Sequence, residues 1–189
     1  MSKRKTAIIL CGGLGSRLGV LSKKIPKSMV KINNYPILWF IIKNLIRNSF
    51  NHLILPIGYK GNLIKNYVRK NFKNKNIDIE IIDTGKNTKI AKRIFLVKNR
   101  IKSENFLLIN GDAIFDFNLK KIYEDHEKNL YSMTFIGCEN RLAYGTIGII
   151  GKKIVNFERN ITFNSVKTKN NSRFTAYVYS GMSIINKKV

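Results

Sequence analysis

Gly12, Gly13 and Gly15 follow directly on the apolar run Thr6–Cys11, with Ser16 and Arg17 next and Lys27 placed behind Pro26. Glycines so spaced let the backbone turn tightly and approach a ligand with its N–H groups facing it, which suits phosphate. Arginine forks onto phosphate oxygens, and lysine meets them as a compact point charge. Two familiar phosphate loops are excluded. A Walker motif closes on Gly-Lys-Ser/Thr, which is absent. A dinucleotide fingerprint starting at Gly13 would need glycine where Leu18 stands, and an acid about 20 residues on where none occurs. The second chemical signal is Asp112, after Leu107-Leu108-Ile109-Asn110-Gly111. A carboxylate at the carboxyl end of a buried strand stands where open α/β sheets bind ligands. One or two carboxylates plus substrate phosphates also form the usual setting of Mg²⁺. Asp116, just ahead of a helical stretch, reads as structural, and His52 and His126 read as residues without acid–base roles.

The elements that must position these groups can be read from periodicity. Strands are expected at Thr6–Cys11, Met29–Ile32, His52–Tyr59, Ile77–Thr84, Asn105–Asn110 and Leu130–Cys138. Helices are expected from Pro36 through Ile46, then over Asn62–Phe72, Thr88–Ile101 and Leu119–Asn129. Strands alternating with helices predict an α/β, Rossmann-like three-layer fold with a mostly parallel central sheet. Beyond Cys138 the pattern turns β-rich, with strands at Thr146–Ile150, Lys153–Glu158 and Thr175–Asn186. The polar stretch Arg159–Arg173 reads as a mobile loop. Residues 1–189 are thus expected to form one domain, with a nucleotide-binding half at 1–138 and a β-rich, acceptor-binding part at 139–189. Trp39, at helical spacing, is expected in the core, and Cys11 and Cys138 are expected as small buried residues in strands.

The composition sets bounds on function. With 44% hydrophobic and 24% charged residues the chain is ordinary for a globular protein. It has no apolar stretch near the roughly 18 residues that a membrane span needs. The N-terminal apolar run is short and enters a glycine loop, so a cytoplasmic protein is expected rather than one led by a signal peptide. The net charge of +24 invites a polyanion, yet lysine is spread along the whole chain and is not interleaved with stacking aromatics. No specific nucleic-acid or membrane partner is therefore expected. No acid occurs before Asp78, so the half that carries the glycine loop has only positive side-chain charge, which suits a triphosphate.

Leu10-Cys11-Gly12-Gly13-Leu14-Gly15-Ser16-Arg17-Leu18, then Pro26-Lys27-Ser28-Met29 and Pro36-Ile37-Leu38, resembles the signature of the sugar-1-phosphate nucleotidyltransferases. Asn110-Gly111-Asp112, Tyr144-Gly145, Phe157-Glu158-Arg159 and Ser180-Gly181 follow in the family's order. Ile37-Leu38-Trp39, Gly58-Tyr59-Lys60-Gly61 and Asp83-Thr84-Gly85 with Lys92-Arg93 are most similar to the glucose-1-phosphate cytidylyltransferase branch. The resemblance implies Mg²⁺-dependent transfer of CMP from CTP to a small phosphorylated acceptor, with release of pyrophosphate. It implies Arg17, Lys27 and Asp112 as catalytic residues, with Asp112 also the metal ligand. Leu10, Gly12, Gly13, Gly15, Ser16, Arg93 and Gly111 would join Arg17 and Lys27 around the nucleotide. Tyr144, Gly145, Glu158, Arg159, Ser180 and Gly181 would face the acceptor. A homo-oligomer is compatible with this reading.

Departures from the family pattern fall mainly on the acceptor side. Its Glu-Lys-Pro stretch stands here as Glu158-Arg159-Asn160, two glycines before the branch arginine are Ala91-Lys92, and an expected asparagine is Ser180. They imply an acceptor other than glucose 1-phosphate, of the kind used by a relative in capsule phosphoramidate synthesis that takes phosphoglutamine. The family also draws a second metal-binding aspartate from a later segment. No carboxylate follows Glu158, so the chain is expected to be truncated. The alternatives are a glucose-1-phosphate cytidylyltransferase or other sugar-1-phosphate nucleotidyltransferase, and a nucleotidyltransferase-like regulatory domain without turnover, which would have little reason to keep Arg17, Lys27 and Asp112 together.

Overall fold

The computed structural model describes residues 4–15, 24–73, 77–141, 145–159, 162–163, 166–167, 173–174 and 177–189. In chain order the elements are β1 (Thr6–Leu10), the short strands β2 (Lys31–Ile32) and β3 (Tyr35–Pro36), and α1 (Ile37–Arg47). There follow β4 (His52–Ile57), α2 (Gly61–Phe72), β5 (Asp78–Asp83), α3 (Ile90–Val97), β6 (Asn105–Asn110), α4 (Leu119–Lys128) and β7 (Met133–Cys138). The remaining strands are β8 (Asn140–Arg141), β9 (Thr146–Ile150), β10 (Lys153–Glu158), β11 (Thr162–Phe163), β12 (Val166–Lys167), β13 (Arg173–Phe174) and β14 (Val178–Asn186).

Six strands form the main sheet in the order β5-β4-β1-β6-β14-β7. β5, β4, β1 and β6 run parallel, and β14 joins β6 antiparallel, with Met182 opposite Ile109 and Asn186 opposite Asn105. The mixed α/β architecture with a mostly parallel sheet is the expected one. β1 and β4 are nearly continuous apolar runs because helices cover both faces of a parallel sheet. Ala7, Ile8, Ile9, Leu53, Ile54 and Leu55 are all fully buried. From α1, Leu38, Ile41, Ile42 and Leu45 project at helical spacing and are fully buried as well. Each such side chain contributes about 1.5–3 kcal/mol on burial.

Trp39 lies on the flank of that stripe rather than in the core. It is half-buried and stacks on Tyr35 with ring centroids 4.3 Å apart. Cys11 is buried just past the end of β1, but Cys138, the last residue of β7, is exposed. The difference follows from position: β7 is an edge strand and β1 a central one. The polar stretch expected as a loop also carries structure. Thr162–Phe163 pairs with Asn140–Arg141, and Val166–Lys167 pairs with Arg173–Phe174.

The chain divides into two compact units, residues 1–135 with 181–189, and residues 136–180. In the second, β9 and β10 pair antiparallel with an irregularity between Ile154 and Asn156.

At the amino ends of the parallel strands a buried polar chain links β1, β4 and β5. His52 Nδ1 lies 3.0 Å from Thr6 Oγ1, and its Nε2 lies 3.0 Å from Glu80 Oε1. Burial holds the pKa of His52 below its ordinary 6.5, the Glu80 hydrogen bond offsetting only part of the effect. Burial does the same to His126, which meets Thr134 and Asn105. Such groups contribute stability above the unfolded pKa, and it is lost as pH falls from about 6.5 through the lowered folded pKa, because the unfolded chain takes up the proton first. The urea midpoint is therefore expected to drop between about pH 7.5 and pH 5.5. His52→Gln and His126→Gln should each flatten that drop; a wild-type midpoint that does not move over this interval would contradict it.

Candidate nucleotide site

Strand order decides where a ligand fits. From β1 the chain steps outward to β4 and β5, then returns to the other side of β1 as β6. The connections diverge between β1 and β6, and a crevice opens there at the carboxyl ends of the strands. The glycine loop leaves β1 at that crevice, and Asn110-Gly111-Asp112 leaves β6 beside it. The two segments touch through Gly111 N–H, which donates to Leu10 O at 3.1 Å. A Cβ at Gly111 would come within 2.7 Å of that carbonyl and 3.2 Å of Cys11 Sγ. Glycine is required at this close approach.

The loop after Asp112 is anchored from below. Ala113 N–H returns to Asn110 O at 3.1 Å, and Phe115 is buried. Asn44 of α1 donates to Phe115 O at 2.6 Å, while Asn48 Oδ1 accepts from Lys120 N–H at 3.0 Å. On the opposite wall, Pro26 and one 3₁₀ turn fix Lys27, with Met29 N–H on Pro26 O at 2.8 Å and Val30 N–H on Lys27 O at 3.1 Å. Lys27 Nζ and Asp112 Oδ2 form an ion pair, each side chain about one third exposed.

Lys27 and Asp112 line one cavity of about 320 Å³ together with Leu10, Gly12, Gly13, Gly15, Arg93 and Gly111. Seven of them were expected around the nucleotide and Asp112 was expected as a catalytic residue and metal ligand, and the eight come from four separate parts of the chain. Ser16 and Arg17 lie outside the described residues, as does Tyr144 on the acceptor side. Gly145, Glu158, Arg159 and Ser180 belong to the second unit. There a Cβ on Gly145 would meet the Phe157 ring, Glu158 and Arg159 are exposed, and Ser180 Oγ donates to Ile136 O at 2.7 Å. Gly181 belongs to the first unit. Its φ is +84°, and a Cβ there would lie 2.8 Å from Asn110 Nδ2.

The cavity has lining residues that sequence reasoning missed: Cys11, Ser28, Thr88, Lys89, Ile90 and Asn110. Ser28 and Asn110 stand next to recognised residues, whereas nothing local distinguishes Thr88–Ile90. The Ser28 hydroxyl is buried beside the Cys11 thiol and makes no hydrogen bond to nitrogen or oxygen. Burial pushes that thiol up to about 12, so Cys11 stays protonated and inert at neutral pH.

The donor chemistry of the cavity fits a hard cation. Asp112 offers carboxylate oxygens at its edge, and the open space beyond leaves room for phosphate and water to complete the shell. A second group of potential ligands, His52, Asp78 and Glu80, lies at the other end of the sheet. Its carboxylates are already matched by cations. Lys102 Nζ lies 3.0 Å from Asp78 and 2.9 Å from Glu80, Arg4 pairs with Asp78, and Arg100 lies 3.6 Å from Glu80. A cation would have to displace those pairs. A larger cavity of about 490 Å³ between α2 and β5 is walled by Val68, Phe72, Ile79 and Ile81, with Arg69 and Lys73 at its margin. Among the described residues, no carboxylate lines it.

Known proteins resemble this chain in sequence and in fold. The chain is 31% identical over 162 residues to a probable glucose-1-phosphate cytidylyltransferase of Bacillus subtilis, which covers 76% of this chain and 64% of that one. It is 34% identical over 158 residues to the D-glycero-alpha-D-manno-heptose 1-phosphate guanylyltransferase of Campylobacter jejuni, covering 82% and 68%. The chain thus spans about two thirds of the length of these two curated relatives. Among solved structures, HddC from Yersinia pseudotuberculosis complexed with GMP-PN superposes with a TM-score of 0.70 at 26% identity, over 97% of this chain and 77% of that one. Residues 6–158, which include every residue lining the cavity, match the family model described as nucleotidyl transferase, and the chain belongs to that family.

Proposed function

We propose that this protein transfers a nucleotidyl group from a nucleoside triphosphate, with CTP as donor, to a small phosphorylated acceptor and releases pyrophosphate. The observation that carries the reading is the meeting of Lys27, Asp112 and the glycine loop around one cavity at the switch point of the sheet. In the reaction an oxygen of the acceptor phosphate attacks the α-phosphorus, a P–O bond forms, and the bond to the β-phosphate oxygen breaks. No protein nucleophile is needed, so positioning and charge stabilisation supply the catalysis. Asp112 would hold Mg²⁺, which when bound neutralises phosphate oxygens. Lys27 meets the α-phosphate as charge builds there, loop N–H groups hold the triphosphate chain, and the resemblance assigns Arg17 to the departing pyrophosphate. The resemblance assigns the acceptor to Glu158 and Arg159.

Lys27 and Asp112 must separate for these roles. A partly exposed pair is worth about 0–1 kcal/mol, so a triphosphate and its cation can part them at little cost.

For the acceptor, the changes at Arg159, Asn160 and Ser180 favour a compound other than glucose 1-phosphate, with phosphoglutamine, used in capsule modification, as the choice. The guanylyltransferase relative supports a second reading, with GTP and a heptose 1-phosphate. Pyrophosphate release is the deciding assay, run with CTP, GTP, UTP and ATP against phosphoglutamine, glucose 1-phosphate and heptose 1-phosphate. CTP with phosphoglutamine should give the highest kcat/KM. Release with GTP and heptose 1-phosphate alone would replace the first reading by the second, and silence with every pair would reject both.

A further inference from the structure

The resemblance places Arg93 among the residues that touch the nucleotide, but its guanidinium faces inward. The residue is 3% exposed. Nη1 donates to Ile57 O at 3.1 Å and to Thr84 Oγ1 at 2.5 Å. Nη2 donates to Gly12 O at 2.8 Å and to Lys86 O at 3.3 Å. Those acceptors belong to the first glycine of the loop after β1, the last residue of β4 and the turn after β5. One planar fork therefore ties together the carboxyl ends of three parallel strands, the end of the sheet where the cavity lies.

Two glycines leave the space for it. A Cβ at Gly12 would overlap the guanidinium, and one at Gly58 would lie 2.8 Å from Nη1 and 2.6 Å from Gly85 O. Gly12 is thus glycine for a reason the sequence does not disclose. Its missing side chain makes room for Arg93 behind the loop, while Gly13 has open space around its Cα. Tyr59 N–H gives Gly12 O a second, longer hydrogen bond at 3.4 Å.

The charge is as informative as the hydrogen bonds. No ion pair among the described residues includes Arg93; the nearby acid, Asp83, acts on it without a direct contact and accepts instead from Gly85 N–H at 2.9 Å. Lys27 and Asp112 cancel one another across the cavity. A buried cation with no direct ion-pair partner therefore sits beside Gly12, where its field reaches further than it would in water and Asp83 offsets only part of it. A group buried in this way is costly until an anion arrives to balance it.

We propose that Arg93 is a positioning residue. It holds the Gly12 carbonyl so that the glycine loop presents its N–H groups to the phosphates, and from the cavity wall it adds positive potential while its fork stays on the protein's own acceptors. This rests on the nucleotide-binding reading above.

The test is calorimetric titration of the full chain with CTP and with GTP, together with the melting temperature of each variant. Arg93→Ala should weaken triphosphate binding by about 10–100-fold, the range for residues that orient a primary ligand group. Arg93→Lys should not restore it, because an ammonium cannot reach acceptors that a planar fork spans. Gly12→Ala should cause a loss of similar size. The double variant should lose no more than the worse single one, since alanine at 93 leaves room for a methyl at 12. Should these variants fold poorly, Thr84→Val removes one acceptor of the fork, does not border the cavity, and should weaken binding by about 3–10-fold.

Losses that multiply in the double variant, or full affinity in Thr84→Val, would overturn the proposal. So would variants that melt earlier yet bind normally while folded, which marks a purely structural residue. Failure of the parent reading shows elsewhere, in a wild-type protein that binds neither nucleotide.

Discussion

Asp112→Asn is expected to lower pyrophosphate release by about 10³-fold, roughly 4 kcal/mol of barrier, while leaving the fold in place. The change keeps the shape of the side chain and removes its charge, at a position the Asn44–Phe115 anchor holds from below. Its second effect has the opposite sign. Without the carboxylate, Lys27 is no longer neutralised and the cavity becomes more positive. Metal-free binding of a triphosphate should therefore tighten even as turnover collapses. Activity within about tenfold of wild type would mean that Asp112 is not the group that holds the cation. The melting temperature should shift little, since a partly exposed ion pair contributes only about 0–1 kcal/mol.

Lys27→Met should cost about 10²-fold in kcat, the scale for losing one donor aimed at developing charge. Here both effects point the same way. Asp112 is left as an unpaired carboxylate in the cavity, so metal-free triphosphate binding should weaken as well. The two halves of one ion pair thus give opposite changes in affinity and the same change in rate, a pattern that general destabilisation cannot mimic. Lys27→Arg should recover only part of the loss. A forked guanidinium does not place its charge where a single ammonium on the Pro26 turn does. Titration with CTP alongside pyrophosphate release reads both quantities, and a Lys27→Met enzyme with undiminished kcat would remove the residue from the reaction.

Much of this protein was legible in its residues. Apolar runs of four or five residues in β1, β4 and β6 marked strands buried on both faces, and the spacing of Leu38, Ile41, Ile42 and Leu45 marked the inner face of α1. The glycine loop, Lys27 and Asp112 announced phosphate chemistry because few other uses combine those residue types. Tertiary structure alone decided the rest. Nothing local says that β6 returns beside β1, or that β14 inserts antiparallel between β6 and β7, yet that order creates the crevice. Lys27 and Asp112 stand far apart in the chain, and only the parallel pairing of β1 with β6 brings them into contact. Arg93 shows the limit most plainly. The resemblance put it around the nucleotide, and only the fold shows that its guanidinium meets carbonyls from β4, the β1 loop and the β5 turn, with Gly12 and Gly58 leaving the room. Periodicity encodes which face of an element meets the core. Which distant elements meet there, and which way a long side chain then turns, depends on closure of the whole sheet.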